Sequence, residues 1–193
     1  MLHMAVFASE WPLSAGFNAV KASQMIAFFV RKAGASIEKL KLTKLVYLAE
    51  RLSFERRSAP MNFDEFYSMP HGPVPSSALN VMDGKAAGLE AGEVMLVGNL
   101  VSVSDNVRTD HLSRNDLDIL NKVWSEFGHM GALQIRNWTH THCEEYVEVT
   151  SGRLSISYDE ILEAVGAERP VDTMKELRFL QREVDRLPKP HAG

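Results

Sequence analysis

Apolar positions along this chain recur mostly at helical spacing, interrupted once by a proline-rich stretch and once by a strand-like alternation. From about Ala22 to Lys32, the side chains Ile26, Phe29 and Val30 fall on one side and Gly34 follows, which predicts a first helix. A longer helix is expected from about Ser36, read as its N-cap, to Arg56. Leu42, Leu45, Val46, Ala49 and Leu52 make its apolar stripe, and Leu40, Tyr47 and Phe54 widen it. So broad a stripe implies a central helix touched by several neighbours.

Between Ala59 and Ser77, residues Pro60, Pro70, Gly72, Pro73 and Pro75 forbid a continuous helix and predict an extended, tightly turned segment. A short helix near Ser77 to Met82 follows. Val94 to Val97 and Leu100 to Val103 flank Gly98-Asn99, a two-residue connection suited to a hairpin turn. Ser113 with Asp116 has the form of a capping box, opening a helix with Leu117, Leu120, Val123, Trp124 and Phe127 that Gly128 stops. A short helix is expected over Ala132 to Trp138. Ser157 with Glu160 opens another that carries Ile161, Leu162 and Val165. After Pro170, a last helix carries Met174, Leu177, Leu180, Val184 and Leu187, and Arg178, Arg182 and Arg186 stand on another of its stripes. The expected fold is therefore mainly α: a compact multi-helix domain with one small β-hairpin and a C-terminal helical appendage. Its expected divisions are an N-terminal segment 1–22, a domain 23–150 and an extension 151–193.

Composition narrows the class. Of 193 residues, 45% are apolar and 24% charged, ordinary for one globular domain with an appendage. Cys143 is the sole cysteine, so no intramolecular disulfide is expected and a reducing, cytoplasmic setting fits. Met1 to Phe17 lacks a basic start and is interrupted by Glu10, Trp11 and Pro12, which predicts no export. Charge or glycine breaks every apolar run short of a membrane span. A formal charge of -4 argues against general nucleic-acid binding.

Candidate chemistry is sparse. His140, His142 and Cys143 carry ligand types that zinc prefers, and His129 or His111 could approach them. The spacing matches no standard site, however, and no C-x-x-C or H-E-x-x-H pattern supports one, so no metal or other cofactor is expected. Cys143 with His140, or Ser113 with His111, could pair a nucleophile with a base. No G-x-S-x-G elbow or phosphate-cradling glycine loop is present, and the expectation is that the protein is not an enzyme.

One set of motifs is more specific. Lys44-Leu45-Val46-Tyr47-Leu48-Ala49-Glu50, Asp64-Glu65-Phe66-Tyr67, His71-Gly72-Pro73-Val74-Pro75, and Leu133 with Thr139-His140 after the Phe127-Gly128 helix end follow one another in order. Together, over about Ser23 to Cys143, they resemble the SocA-like (Panacea) antitoxin domain. Tyr67-Ser68-Met69 stands where that family commonly has a tryptophan, and Cys143-Glu144-Glu145 where Pro-Trp often follows. The resemblance implies a helical antitoxin domain that inhibits a cognate toxin, encoded by an adjacent gene, through direct protein contact. A protease adaptor, delivering its partner to an ATP-dependent protease, is the alternative the family suggests; a metal-dependent enzyme using His140 to Cys143 is the second alternative. Leu45, Tyr47, Gly72, Pro73, Val74, Thr139 and His140 are read as the structural motif. The expected partner-binding residues are Asp64, Tyr67, Met69 and His71, held by the proline turn, with Arg178, Arg182 and Arg186 as a second surface.

Overall fold

The structure is a computed structural model and describes residues 16–86, 89 and 92–167. Among these residues, six helices and six strands follow in the order α1 (Ala19–Ala33), β1 (Ser36–Glu38), α2 (Lys39–Arg57), β2 (Phe66–Met69), β3 (Gly72–Pro75), α3 (Ser76–Met82), β4 (Val94–Val97), β5 (Leu100–Val103), α4 (Arg114–Phe127), α5 (Ala132–His142), β6 (Leu154–Ile156) and α6 (Tyr158–Ala164). The strands form two antiparallel three-stranded sheets, ordered β1-β5-β4 and β3-β2-β6. The expectation of a mainly helical domain with one hairpin is thus corrected to a mixed α/β fold. The expected hairpin is there, as β4 and β5, and Gly98 takes φ +62° at its turn. Strands β1, β2, β3 and β6 are not predicted as sheet, although the β2–β3 stretch is expected to be extended.

Ser36 illustrates why. Instead of capping a helix, it lies in β1, which pairs with β5 so that buried Ile37 stands opposite buried Val101. The next helix, α2, begins at Lys39, whose backbone N–H donates to the carbonyl of Asn99 at 2.8 Å. The turn of the β4–β5 hairpin therefore satisfies an orphan donor that a side-chain cap would otherwise take. Helix α1 begins earlier than the apolar pattern suggests, because the Asn18 side chain accepts from Lys21 N–H and Asn18 N–H donates to Asn62.

Helix α2 is the axis of the molecule. Leu42, Leu45, Val46, Tyr47, Leu48, Ala49 and Phe54 are all buried, against side chains from the other helices and both sheets. Phe54 meets Phe66 of β2 and Tyr158 of α6 edge-on, with ring centroids 6.1 and 5.0 Å apart. Strand β6 and helix α6, which lie past residue 150, are joined to the earlier part of the chain by this cluster and by the pairing of β6 with β2. Ser113–Asp116 and Ser157–Glu160 both form reciprocal capping boxes as expected.

Candidate functional site

The chemistry of the motif residues gathers where α2, α5 and the β2–β3 hairpin meet. Lys44, Tyr47 and Arg51 lie at i, i+3 and i+7 on α2, so one face of the helix presents three polar ends. All three are engaged. Lys44 Nζ donates to the carbonyl of Pro73 at 2.8 Å, while Tyr47 Oη and Arg51 Nε donate to Glu145 Oε1 at 2.5 and 2.8 Å. Glu145 has a fully buried carboxylate and owes its ionic partner to Arg51. Burial pushes the Tyr47 hydroxyl well above its usual range, with the Glu145 charge adding to the effect. Burial also raises the Cys143 thiol to about 12, so it behaves as a small apolar side chain rather than a nucleophile.

Lys44 is the exceptional member. Its side chain is 0% exposed, and among the described residues no carboxylate forms an ion pair with it. Loss of solvent brings its ammonium down to about 7.

The hairpin is built to lie on this cluster. Met69 and Gly72 are paired across the Pro70-His71 turn, and Gly72 takes φ +93°. A β-carbon at Gly72 would come within 3.0 Å of both Lys44 Nζ and Thr139 Oγ1 and 3.1 Å from the His140 ring, so only glycine lets the turn approach so closely. Pro73 and Pro75 sit in β3, an edge strand, where a missing N–H can face away from the ladder. The segment after α5 straps the hairpin from outside: Tyr146 Oη donates to the Met69 carbonyl at 3.2 Å and Val147 N–H to Ser68 Oγ at 3.1 Å.

The residues expected to meet a partner take different positions. Asp64 is 1% exposed, and its carboxylate accepts from the backbone N–H groups of Glu65, Ser77 and Ala78 at 2.7 to 2.8 Å, which fixes the start of α3. Tyr67 is half-buried, with its hydroxyl donating to Glu65 and the Arg153 guanidinium 4.2 Å from its ring centre. Met69 is half-buried and His71 is exposed at the turn. Arg178, Arg182 and Arg186 lie outside the described residues.

His140, His142 and Cys143 do not converge. The His142 ring stacks on Trp138 at 4.4 Å, His140 packs against Tyr146 at 4.5 Å, and Cys143 is buried. Among the described residues, no three His, Cys, Asp or Glu side chains are grouped so as to hold a metal. No described helix is long and apolar enough to cross a membrane.

The sequence motifs include Lys44 and Glu145 without giving either a role, and Arg51, Arg136 and Tyr146 lie outside them. One signal was available. An apolar stripe as wide as that of α2 surrounds its polar members, and here every residue from Leu42 to Glu50 is buried.

The chain matches the family model for the SocA-like antitoxin, Panacea domain, over residues 42–145, more than half its length, and belongs to that family. No curated protein and no solved structure matched the chain.

Proposed function

We propose that this protein is the antitoxin of a toxin–antitoxin module and neutralises a cognate toxin by direct protein–protein contact, without catalysis. The observation that carries this reading is the family match over residues 42–145, and the match spans the whole Lys44–Gly72–His140 cluster. The contact surface is the outer side of the β2–β3 hairpin, where Tyr67, Met69 and His71 are held by Gly72, Pro73 and the Tyr146 strap. A turn already fixed by proline and by buried hydrogen bonds loses little conformational freedom on association, so more of its contact energy is kept as affinity. Asp64 acts from beneath by fixing the exit of the hairpin.

The test is co-expression with the product of the adjacent gene, followed by affinity purification and growth measurement. A stoichiometric complex, with growth restored, is the expected result. A neighbour that is toxic, and stays toxic and unbound in the presence of this chain, overturns the reading.

A further inference from the structure

Helix α5 carries Leu133, Arg136 and His140 at i, i+3 and i+7, on one face, with Gly72 of the hairpin turn packed against the ring of His140. Leu133 is 67% exposed, an apolar side chain left in water at the start of that face. Among the described residues, two nitrogen atoms there have no hydrogen-bond partner although each is shielded from solvent: Nε of Arg136 and Nε2 of His140. A polar nitrogen in that state costs free energy unless something binds it. Beneath them lies Lys44, whose carbonyl contact with Pro73 supplies no countercharge.

Basic groups predominate around these nitrogen atoms. Arg136 acts on Lys44 electrostatically, and Arg136, Lys44 and His71 each act on His140 to disfavour its protonated form. Burial is the larger cause of the fall in both groups. Glu148 is the acidic group acting on His140 in the opposite direction, while Glu145 holds Arg51 and Tyr47 through Oε1 and its buried Oε2 has no partner among the described residues. An anion placed here would supply a countercharge to Arg136, favour the charged forms of Lys44 and His140, and offer the acceptors that the unpartnered nitrogen atoms lack.

We propose that Arg136, His140 and His71, with Lys44 beneath them, form a carboxylate-recognition site that receives an aspartate or glutamate side chain of the partner protein. The guanidinium and imidazole nitrogen atoms hold the carboxylate, and Leu133 contacts apolar surface beside it. This rests on the reading of the chain as a toxin-binding antitoxin and gives that partner a chemistry: an acidic residue next to an apolar one.

The site is tested on the isolated chain, without the toxin. The histidine ring resonances are followed by NMR at constant ionic strength during titration with a capped tetraglutamate peptide, and in parallel with inorganic phosphate. Saturable shifts of His71 and His140 with tetraglutamate, while His111 and His129 stay still, are expected. Arg136→Gln should weaken that binding by about tenfold or more, as loss of a charge-assisted hydrogen bond predicts. Among the described residues its side chain bonds only to neighbouring Asn137, so the fold should survive, and His140→Gln provides a second variant. Shifts that are linear and equal to those in sodium chloride, that persist in both variants, or that arise with phosphate alone would overturn the proposal. Because no partner takes part, failure here beside an intact toxin complex removes the carboxylate site and leaves the antitoxin reading standing. Saturable tetraglutamate binding without any toxin complex does the reverse.

Discussion

Glu50 occupies a position on α2 where a charge is poorly tolerated. It is wholly buried, its Oε2 accepts from Met61 N–H at 2.6 Å, and burial raises its carboxyl to about 8. An acid raised on folding makes the native state bind more protons than the unfolded one, so its contribution is complete below the unfolded value of 4.5 and is lost as pH rises toward 8. Asp64, raised by burial to about 6, acts in the same sense over a lower window. Lys44, lowered to about 7, acts oppositely: its neutral form is favoured in the fold, so its contribution is present at high pH and is lost as pH falls toward 7. Between pH 6 and 7, Glu50 therefore dominates. Glu50→Gln keeps the shape of the protonated acid and should gain stability relative to the parent as pH rises through this window. One proton sets a ceiling of about 1.4 kcal/mol per pH unit for that gain. Urea denaturation of both proteins at pH 5, 6, 7 and 8 measures it; parallel curves would mean that Glu50 ionises normally in the fold.

Elements announced by their own residues were readable, and those defined by a distant neighbour were not. Ser113–Asp116 and Ser157–Glu160 close capping boxes within four residues, and the β4–β5 hairpin has its turn in Gly98-Asn99, so each signal is local. Strands β1 and β6 span three residues each and exist because β5 and β2 run alongside them. The β2–β3 hairpin was legible as an extended turn, but Pro73 and Pro75 hid its pairing, since prolines within a run argue against a strand except at a sheet edge. In the candidate site, the glycine turn could be read from the sequence, whereas the Glu145 contacts with Tyr47 and Arg51 depend on how the segment after α5 lies against α2. Asp64 makes such a link: its buried carboxylate holds the Ser77 and Ala78 N–H groups at the start of the seven-residue helix α3 and the N–H of Glu65 just before β2. Asp64→Ala should cost about 2 kcal/mol, from an N-cap and stranded buried donors. It should also speed hydrogen exchange at the Ser77 and Ala78 amides. Unchanged exchange there would show that α3 is held by its packing alone.

Across the whole molecule, one helix serves both as the core and as the floor of the proposed binding surface, so loss of binding must be separated from loss of fold. Leu45 is 0% exposed within α2, and Leu45→Ala should cost about 2 to 5 kcal/mol through lost burial and the cavity left behind. That is a large share of the stability of a domain this size, and reduced partner binding in this variant would report unfolding. Tyr67 alternates with buried Phe66 and Ser68 along β2 and is half-buried, and His71 is exposed at the turn. Tyr67→Ala gives up the Glu65 hydrogen bond and the Arg153 contact, both near the surface, so its effect on stability should be small. If these residues meet the toxin, Tyr67→Ala and His71→Ala should each weaken the complex by about 1 to 2 kcal/mol while the thermal midpoint hardly moves. Calorimetric titration with the toxin, paired with thermal denaturation of each variant alone, reads the two quantities separately. Equal losses in both would make the hairpin scaffold. Variants that fold and bind like the parent would remove the hairpin from the interface, leaving the exposed face of α5 around Leu133 as the next surface to test.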